Sequence, residues 1–418
     1  MRGLVRLASV LGALAVVASA CGGPGGGSTT VTYVGVSGGS ISFGMTGSLT
    51  GCNPNTPSGD TPATLTTLAG VLPSPYVVDA NGMPAPNSDL IASAEPLSLS
   101  PLTVVYTLNP KAVWSDGVPI TAADFKYAWE QQRGDPDGSS TDVVSVAGYR
   151  DIASVTGTNG GRTVTVKFKT VFADWQMLFS NLLPAHVMER VGWNPNCSTV
   201  SPSIDLSGGP FEIASVSGST VRLVQNPKWW GAPANSKSIT VHLASSTAEL
   251  ASWMSNGTVQ VAEPATVTPS FLTDVTGLPG AQSDVDASNT LLQLDLASSL
   301  DARLSPDLRT AIALSINRQQ LLNQQVSWAT PAIAVANSHI YVQGQQGYKP
   351  APSATVPTTT IPVPSSTTST TVIGAGGSVN FPVTPVPAQA AAFLTASGLV
   401  KTADSPYVHS AFGVPFTL

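Results

Sequence analysis

The side chains able to do chemistry in this 418-residue sequence are few: four histidines, three cysteines and 24 acidic residues. His186, His242, His339 and His409 lie far apart, and none stands at ligand spacing from another or from a cysteine. A metal site needs such clustering, so no metal is expected. Of the usual catalytic motifs there is no His-Glu-x-x-His, no Walker loop and no Cys-x-x-Cys. The glycine run "GGPGGG" has no strand before it and no helix after it, so it does not read as a phosphate loop. Asp135 and Asp137 share the segment "GDPDGSS", where solvated turn residues are the ordinary reading. Neither an enzyme nor a cofactor is expected.

The cysteines say more. "MRGLVRLASVLGALAVVASAC" carries Arg2 and Arg6, an apolar run from Leu7 to Val17, and small residues before Cys21. That is the order of an export signal. The cysteine after the small residues resembles a bacterial lipobox, with residues 1–20 the signal peptide and Cys21 the lipidated first residue. An ordinary signal peptide cut at the same place would look similar. Residues 21–30 then read as a Gly-rich tether that lets a folded domain stand off a membrane. Cys52 and Cys197 remain, and two cysteines in an exported chain suggest a disulfide.

Composition narrows the class. Only 10% of residues are charged against 42% hydrophobic, with 38 Gly, 34 Pro and a net charge of -6. No basic cluster offers a nucleic-acid footprint. No later run of about 18 apolar residues predicts a second membrane span. The composition suits an exported, loop-rich protein with enough apolar surface for a core.

The elements that must position any site follow from periodicity. "TLTTLAGVL" places Leu65, Leu68 and Leu72 at helical spacing, and "TVVYTLNP" alternates with Val104, Tyr106 and Leu108 on one face. Ser115-Asp116-Gly117 is turn chemistry. Thr121 and Asp124 form a variant capping box ahead of a helix with Phe125, Ala128 and Trp129 on its inner face. "RTVTVKFKT" is a strand with Val164, Val166 and Phe168 inward. "ADWQMLFSNLLPAHVM" spaces Trp175, Leu178, Phe179 and Leu182 as a helical face that Pro184 ends. "SITVHLASSTAELASWMSNGTVQVAE" reads as strand, helix and strand, with Ser246 and Glu249 as capping box and Gly257 as stop. A further helix is predicted from about Pro306 to Gln325, capped by Ser305. The Pro/Ser/Thr tract 350–377 is expected to be extended or disordered. "VPAQAAAFLTASGL" then predicts a short helix, and "GVPFTL" a strand.

One window stands apart. "NPKAVWSDGVPITAADFKYAW" resembles the signature of family 5 extracellular solute-binding proteins through Trp114, Asp116, Gly117, Pro119, Thr121, Ala122, Asp124 and Phe125. Other segments resemble the family in its own order. They are "DLSGGPFEI" through Gly209, Pro210 and Phe211; "LVQNPKWWG" through Asn226, Trp229 and Trp230; "STAELASWMSNGTVQVAE", with Thr258 and Gln260 where acids are usual; "LSPDLRTAIALSINRQQLL" through Arg309, Ala311, Asn317 and Arg318; and "AQAAAFLTASGL".

The resemblance implies an α/β, two-lobe periplasmic-binding-protein-like fold with an inserted accessory domain and an incomplete second lobe. It places residues 31–56 and 198–265 in the first lobe, 57–197 in the inserted domain and 266–418 in the second lobe. On this reading the signature itself packs a capped helix and an aromatic plug. Solute would bind between the lobes, with Asn55, Thr56, Ser58, Gly59 and Asp60 lining the cleft and Glu263 a second candidate beside it. The implied partners are a peptide or similar small solute, an ABC permease with its ATPase, and the membrane through the lipid on Cys21; the chain is expected to be a monomer. The implied proximity of the loops at the two ends of the inserted domain pairs Cys52 with Cys197. The chain stops soon after the "AQAAAFLTASGL" segment, so a truncated, poorly binding product is also an expectation. A surface sensor or adhesin would share these motifs, and an exported hydrolase would need a nucleophile that no segment supplies.

Overall fold

The computed structural model describes residues 38–79, 83–134, 142–194, 206–283 and 306–326, with a few isolated residues and short strand pairs beyond. The chain forms two compact units, 1–286 and 287–418.

Two sheets organise the first unit. One has five strands in the order β11-β1-β10-β9-β8: β1 (Ser40–Thr46), β8 (Phe211–Ser217), β9 (Thr220–Gln225), β10 (Ser238–Ala244) and β11 (Val261–Glu263). It takes its strands from both sides of a long intervening segment. Strand β1 runs parallel to β10 and to β11, while β8, β9 and β10 are antiparallel neighbours. The other sheet lies within that segment: β4 (Ile91–Leu99), β5 (Leu102–Leu108), β6 (Ile152–Thr158) and β7 (Thr163–Phe168), in the order β4-β5-β7-β6 and antiparallel throughout. A small hairpin, β2 (Tyr76–Val78) with β3 (Pro84–Pro86), precedes it.

Alternation decides which face of the four-stranded sheet is buried. Val104, Tyr106 and Leu108 on β5, and Val164, Val166 and Phe168 on β7, are all at most 2% exposed. Helix α2 (Ala122–Gln132) covers this face with Phe125 and Ala128. Its start is capped as the sequence predicts: Thr121 N donates to Asp124 Oδ2 at 2.8 Å, and Ala123 N donates to Thr121 Oγ1. In front of it Trp114 N and Val118 O close a tight turn at 2.8 Å, with Gly117 at φ 91. The Arg162 guanidinium fastens this region, since its Nη1 donates to the carbonyls of Asn109, Ala112 and Ile120 at 3.1, 2.8 and 3.1 Å. Arg162→Met leaves those oxygens without their charged donor and is expected to cost about 2 kcal/mol. Urea unfolding of the two chains checks it; equal midpoints would remove Arg162 from this account.

Three predicted elements differ. Helix α1 (Pro62–Leu68) ends before Leu72, and Leu65 points outward at 39% exposure. Residues 175–183 do not form a helix. One 3-10 turn (Trp175–Met177) leads into Phe179 at φ 64 and Asn181 at φ 52, and α3 (Ala185–Val191) begins only after Pro184. Tertiary hydrogen bonds replace the helical ladder there: Phe179 N donates to Tyr149 Oη at 2.7 Å, Asn181 N to Ser74 Oγ at 2.8 Å, and Leu182 N to Pro73 O at 2.8 Å. Leu178, Phe179 and Leu182 are buried all the same, so the apolar spacing reported a core and not a helix.

Helices α4 (Thr247–Ser255) and α5 (Pro269–Thr276) complete the first unit. In the second, the helix predicted over 306–325 is broken into α6 (Pro306–Ser315) and α7 (Arg318–Val326). Asn317 lies between them and caps the second, accepting from Gln320 N at 2.9 Å. Ala354–Thr355 pairs with Ser378–Val379, and Leu399–Lys401 with Val408–Ser410. The rest of the Pro/Ser/Thr tract, Ser305, residues 386–398 and the "GVPFTL" segment lie outside the described residues, as do the signal segment, Cys21 and Cys197.

Candidate functional site at the carboxyl edge of the parallel strands

Strands β10, β1 and β11 run in one direction, so their carboxyl ends meet along one edge. The register pairs Thr46 with Ala244 and Met45 with Glu263. In open α/β sheets this edge is where ligands gather, because the connecting loops there are free to carry polar groups. The edge is locked from two sides. Ala265 N donates to Thr46 Oγ1 at 2.8 Å, fixing the chain leaving β11 against the chain leaving β1. Beyond β10, Glu249 Oε2 accepts from Ser245 N at 2.8 Å and from Ser245 Oγ at 2.6 Å. Those bonds hold its carboxyl below the ordinary glutamate range. The cap of α4 is completed by Glu249 N donating to Ser246 Oγ, so the reciprocal bond goes to Ser245 rather than to Ser246.

The loop that follows β1 carries five of the six predicted site residues. It is folded on a buried asparagine, Asn53, whose Nδ2 donates to Trp193 O at 2.8 Å and whose Oδ1 accepts from Asn55 N at 3.0 Å. Asn55 also reaches Asn181 O through Nδ2 at 3.2 Å, and its carbonyl accepts from Val144 N at 3.0 Å. Thr56 is fully buried; its Oγ1 donates to Asn53 O at 2.9 Å and accepts from Gly59 N at 3.2 Å. Gly59 is buried because the loop crosses itself there. A Cβ on Gly59 would stand 2.0 Å from Asn53 O. Gly59→Ala is therefore expected to force the loop open and to cost about 2–3 kcal/mol, read as a lower thermal midpoint. An unchanged midpoint would mean the loop gives way freely.

Ser58 is half-buried and Asp60 is exposed at the start of α1, which Thr61 caps by accepting from Thr64 N. Glu263 is solvent-accessible at the end of β11, and the protein packed around its carboxyl raises its pKa above the ordinary glutamate value. The structure thus gathers Asn55, Thr56, Ser58 and Gly59 into one self-bonded strap after β1 and sets Glu263 directly across from Met45. Sequence reading missed Asn53, Thr46 and Ser245, and gave Glu249 a capping role only. Asn53 sits beside Cys52 in the same "GCNPNT" segment, and the strand-helix-strand pattern around Glu249 marked that edge.

The signature window is a joint between the two sheets. Ser207 N donates to Ser115 Oγ at 3.0 Å, Gly208 N to Val71 O at 3.0 Å, and Trp230 Nε1 to Asp89 O at 2.6 Å. Asn226 Nδ2 donates to Gly209 O at 2.9 Å. Asp124 is buried at 2% exposure and ties α2 to α3 by accepting from Ala185 N at 2.9 Å. Among the described residues no group of three or more His, Cys, Asp or Glu could hold a metal ion, and no helix is long and apolar enough to cross a membrane.

This arrangement is an α/β architecture of the periplasmic-binding class. It superposes on the periplasmic EDTA-binding protein EppA with a TM-score of 0.69 at 24% identity, covering 91% of this chain and 67% of that one. The sequence profile of the "Bacterial extracellular solute-binding proteins, family 5 Middle" matches residues 86–409, and the chain belongs to that family. Relatives include the "Probable monoacyl phosphatidylinositol tetramannoside-binding protein LpqW" of Mycobacterium tuberculosis, 27% identical over 312 residues, which are 72% of this chain and 47% of LpqW. The oligopeptide-binding protein OppA of Mycobacterium bovis is 27% identical over 288 residues, 68% of this chain and 48% of OppA. The chain thus spans about half the length of these curated relatives.

Proposed function

We propose that the chain is the solute-capturing component of an ABC importer, lipid-anchored at Cys21, that takes a peptide or similar small solute at the carboxyl edge of β10, β1 and β11 and presents it to a membrane permease. The observation that carries this reading is the aligned carboxyl edge, with Glu263 facing Met45 and the self-bonded strap of residues 53–60 beside it. The strap is a preorganised wall: its buried groups are bonded to one another, which leaves Ser58 and Asp60 as its polar surface. Preorganisation of this kind reduces the ordering cost of binding. On this reading Asp60 and Glu263 supply negative charge for a cationic group of the solute, Ser58 supplies hydrogen bonds, and Asn55, Thr56 and Gly59 set the shape.

Membership of a family of extracellular solute-binding proteins and the likeness to OppA support a peptide. The likeness to LpqW favours a second reading, a mannosylated lipid headgroup. One titration separates them. Saturation with a true solute at a hundredfold excess over Kd stabilises the fold by about 2.7 kcal/mol. A mixed peptide library is expected to raise the thermal midpoint, and Glu263→Gln to remove most of the rise. A rise with mannosylated phosphoinositide and none with peptides would favour the second reading. No rise with either overturns the proposal.

A further inference from the structure

The far end of the four-stranded sheet gathers features that solute capture does not use. The end of β4, where it turns into β5, carries Leu97 and Leu99, exposed at 76% and 68%, and the segment after β7 carries Val171 at 67%. These are the three most exposed large apolar side chains among the described residues. The registers put them at one end: Leu99 pairs with Leu102, Ser98 with Thr103, Thr103 with Lys167, and Ile152 with Phe168. Three cations share that end, Arg150 just before β6, Lys167 on β7 and Lys169 just after it, and all three are exposed. Lys169 Nζ is steadied by donating to Arg150 O at 2.9 Å. The acids nearby are Asp151, whose Oδ1 already accepts from Thr170 Oγ1 at 3.0 Å, and Asp174; Glu95 lies further up β4, opposite Val105.

Apolar side chains projecting from a strand end and flanked by cations are the chemistry of an interfacial membrane contact: the apolar groups enter the headgroup boundary and the cations meet anionic lipid. At this end the three cations outnumber Asp151 and Asp174 by one, in a chain whose net charge is -6. Sixteen residues, 22–37, lie between Cys21 and Gly38, the first described residue. Extended, they span at most roughly 55–60 Å, enough to let a lipid-anchored domain turn this end onto the bilayer. We infer that the Leu97/Leu99 turn, with Val171, Arg150, Lys167 and Lys169, docks reversibly on an anionic membrane surface and so holds the tethered domain in one orientation. This rests on the reading of Cys21 as lipidated.

The test reconstitutes the full acylated chain into vesicles of phosphatidylcholine alone or mixed equally with phosphatidylglycerol. Flotation reports the anchor, and amide hydrogen exchange reports the docking. Exchange at residues 97–100 and 169–172 is expected to slow by roughly tenfold in the mixed vesicles relative to phosphatidylcholine. The slowing should vanish in the L97D/L99D variant and at high salt, with exchange elsewhere unchanged. A chain that floats but exchanges these segments equally in both vesicles overturns the docking and leaves the anchor standing. A chain that floats in neither overturns both. Slowing that follows protein concentration without vesicles makes a second copy the occupant and also overturns it.

Discussion

Replacing Cys197 by alanine is expected to lower the unfolding free energy by about 5 kcal/mol, and replacing Cys52 is expected to do the same. Cys52 is disulfide-bonded and 4% exposed. Its expected partner, Cys197, lies three residues beyond Asn194, where the described chain breaks off. That stretch is already held against the loop of Cys52: Asn53 Nδ2 donates to Trp193 O at 2.8 Å, and Asn194 Nδ2 reaches Ser58 Oγ at 3.4 Å and Asp142 Oδ2 at 2.6 Å. A bond between Cys52 and Cys197 closes a loop of 145 residues, and the chain-entropy cost of leaving such a loop open is about 5 kcal/mol. Because one bond is lost either way, the double variant should cost no more than either single one. Denaturant unfolding of the three variants measures this, and a thiol count on the denatured, unreduced chain tests the pairing itself. Free thiols at both Cys52 and Cys197 would disprove it. So would a double variant whose cost is the sum of the two.

The fold was legible where local chemistry and tertiary packing agree. The alternation in 103–108 and 163–168 gave two central strands, because a sheet with one buried face leaves a period of two in the sequence. The Thr121–Asp124 cap was legible because its partners lie three residues apart. Legibility failed where hydrogen bonds are made to distant residues. Phe179 and Asn181 take positive φ because Tyr149 and Ser74 receive their amides, and nothing within the window of 175–183 announces those partners. The break at Asn317 had a local signal, an asparagine three residues before Gln320, that a longer apolar pattern concealed. Of the candidate site the family resemblance offered segments and not contacts. The loop after β1 and Glu263 are its candidates, taken from their position along the chain. That Thr56 and Gly59 face each other, while Ser58 and Asp60 form the polar surface, depends on Asn53 reaching Trp193 across 140 residues. The signature aromatics were expected to pack, and they do: Trp114 and Phe125 are fully buried. What the sequence did not disclose is that the capping aspartate bridges two helices.

That bridge makes stability depend on pH through Asp124. Burial pushes its carboxyl from 3.8 up to about 6, against the opposing pull of the amides of Thr121 and Ala185, the Trp114 indole and the charge of His186. Trp114 Nε1 is buried and makes no hydrogen bond of standard geometry, though its N–H dipole still favours the carboxylate. A carboxyl whose pKa is higher in the folded state contributes its full stability below the unfolded value of 3.8 and loses it as pH rises through about 6. Moving between those values is worth on the order of 3 kcal/mol. Asn at this position cannot titrate and keeps one acceptor, but turns an amide N–H toward a backbone donor. The stability gap between the wild-type chain and Asp124→Asn is therefore expected to be widest near pH 4 and to narrow by about 3 kcal/mol by pH 7. Asp124→Ala leaves both Thr121 N and Ala185 N buried without an acceptor and is expected to cost about 3–4 kcal/mol at neutral pH. His186 must be controlled for, because its Nε2 lies 2.8 Å from Asp116 Oδ2 and its charge acts on Asp124. Repeating the urea series from pH 4 to pH 7 in a His186→Gln background isolates the aspartate. A gap that stays constant across that range in both backgrounds would show that Asp124 is ionised throughout, with its two helix-start amides and the indole outweighing the desolvation of its burial.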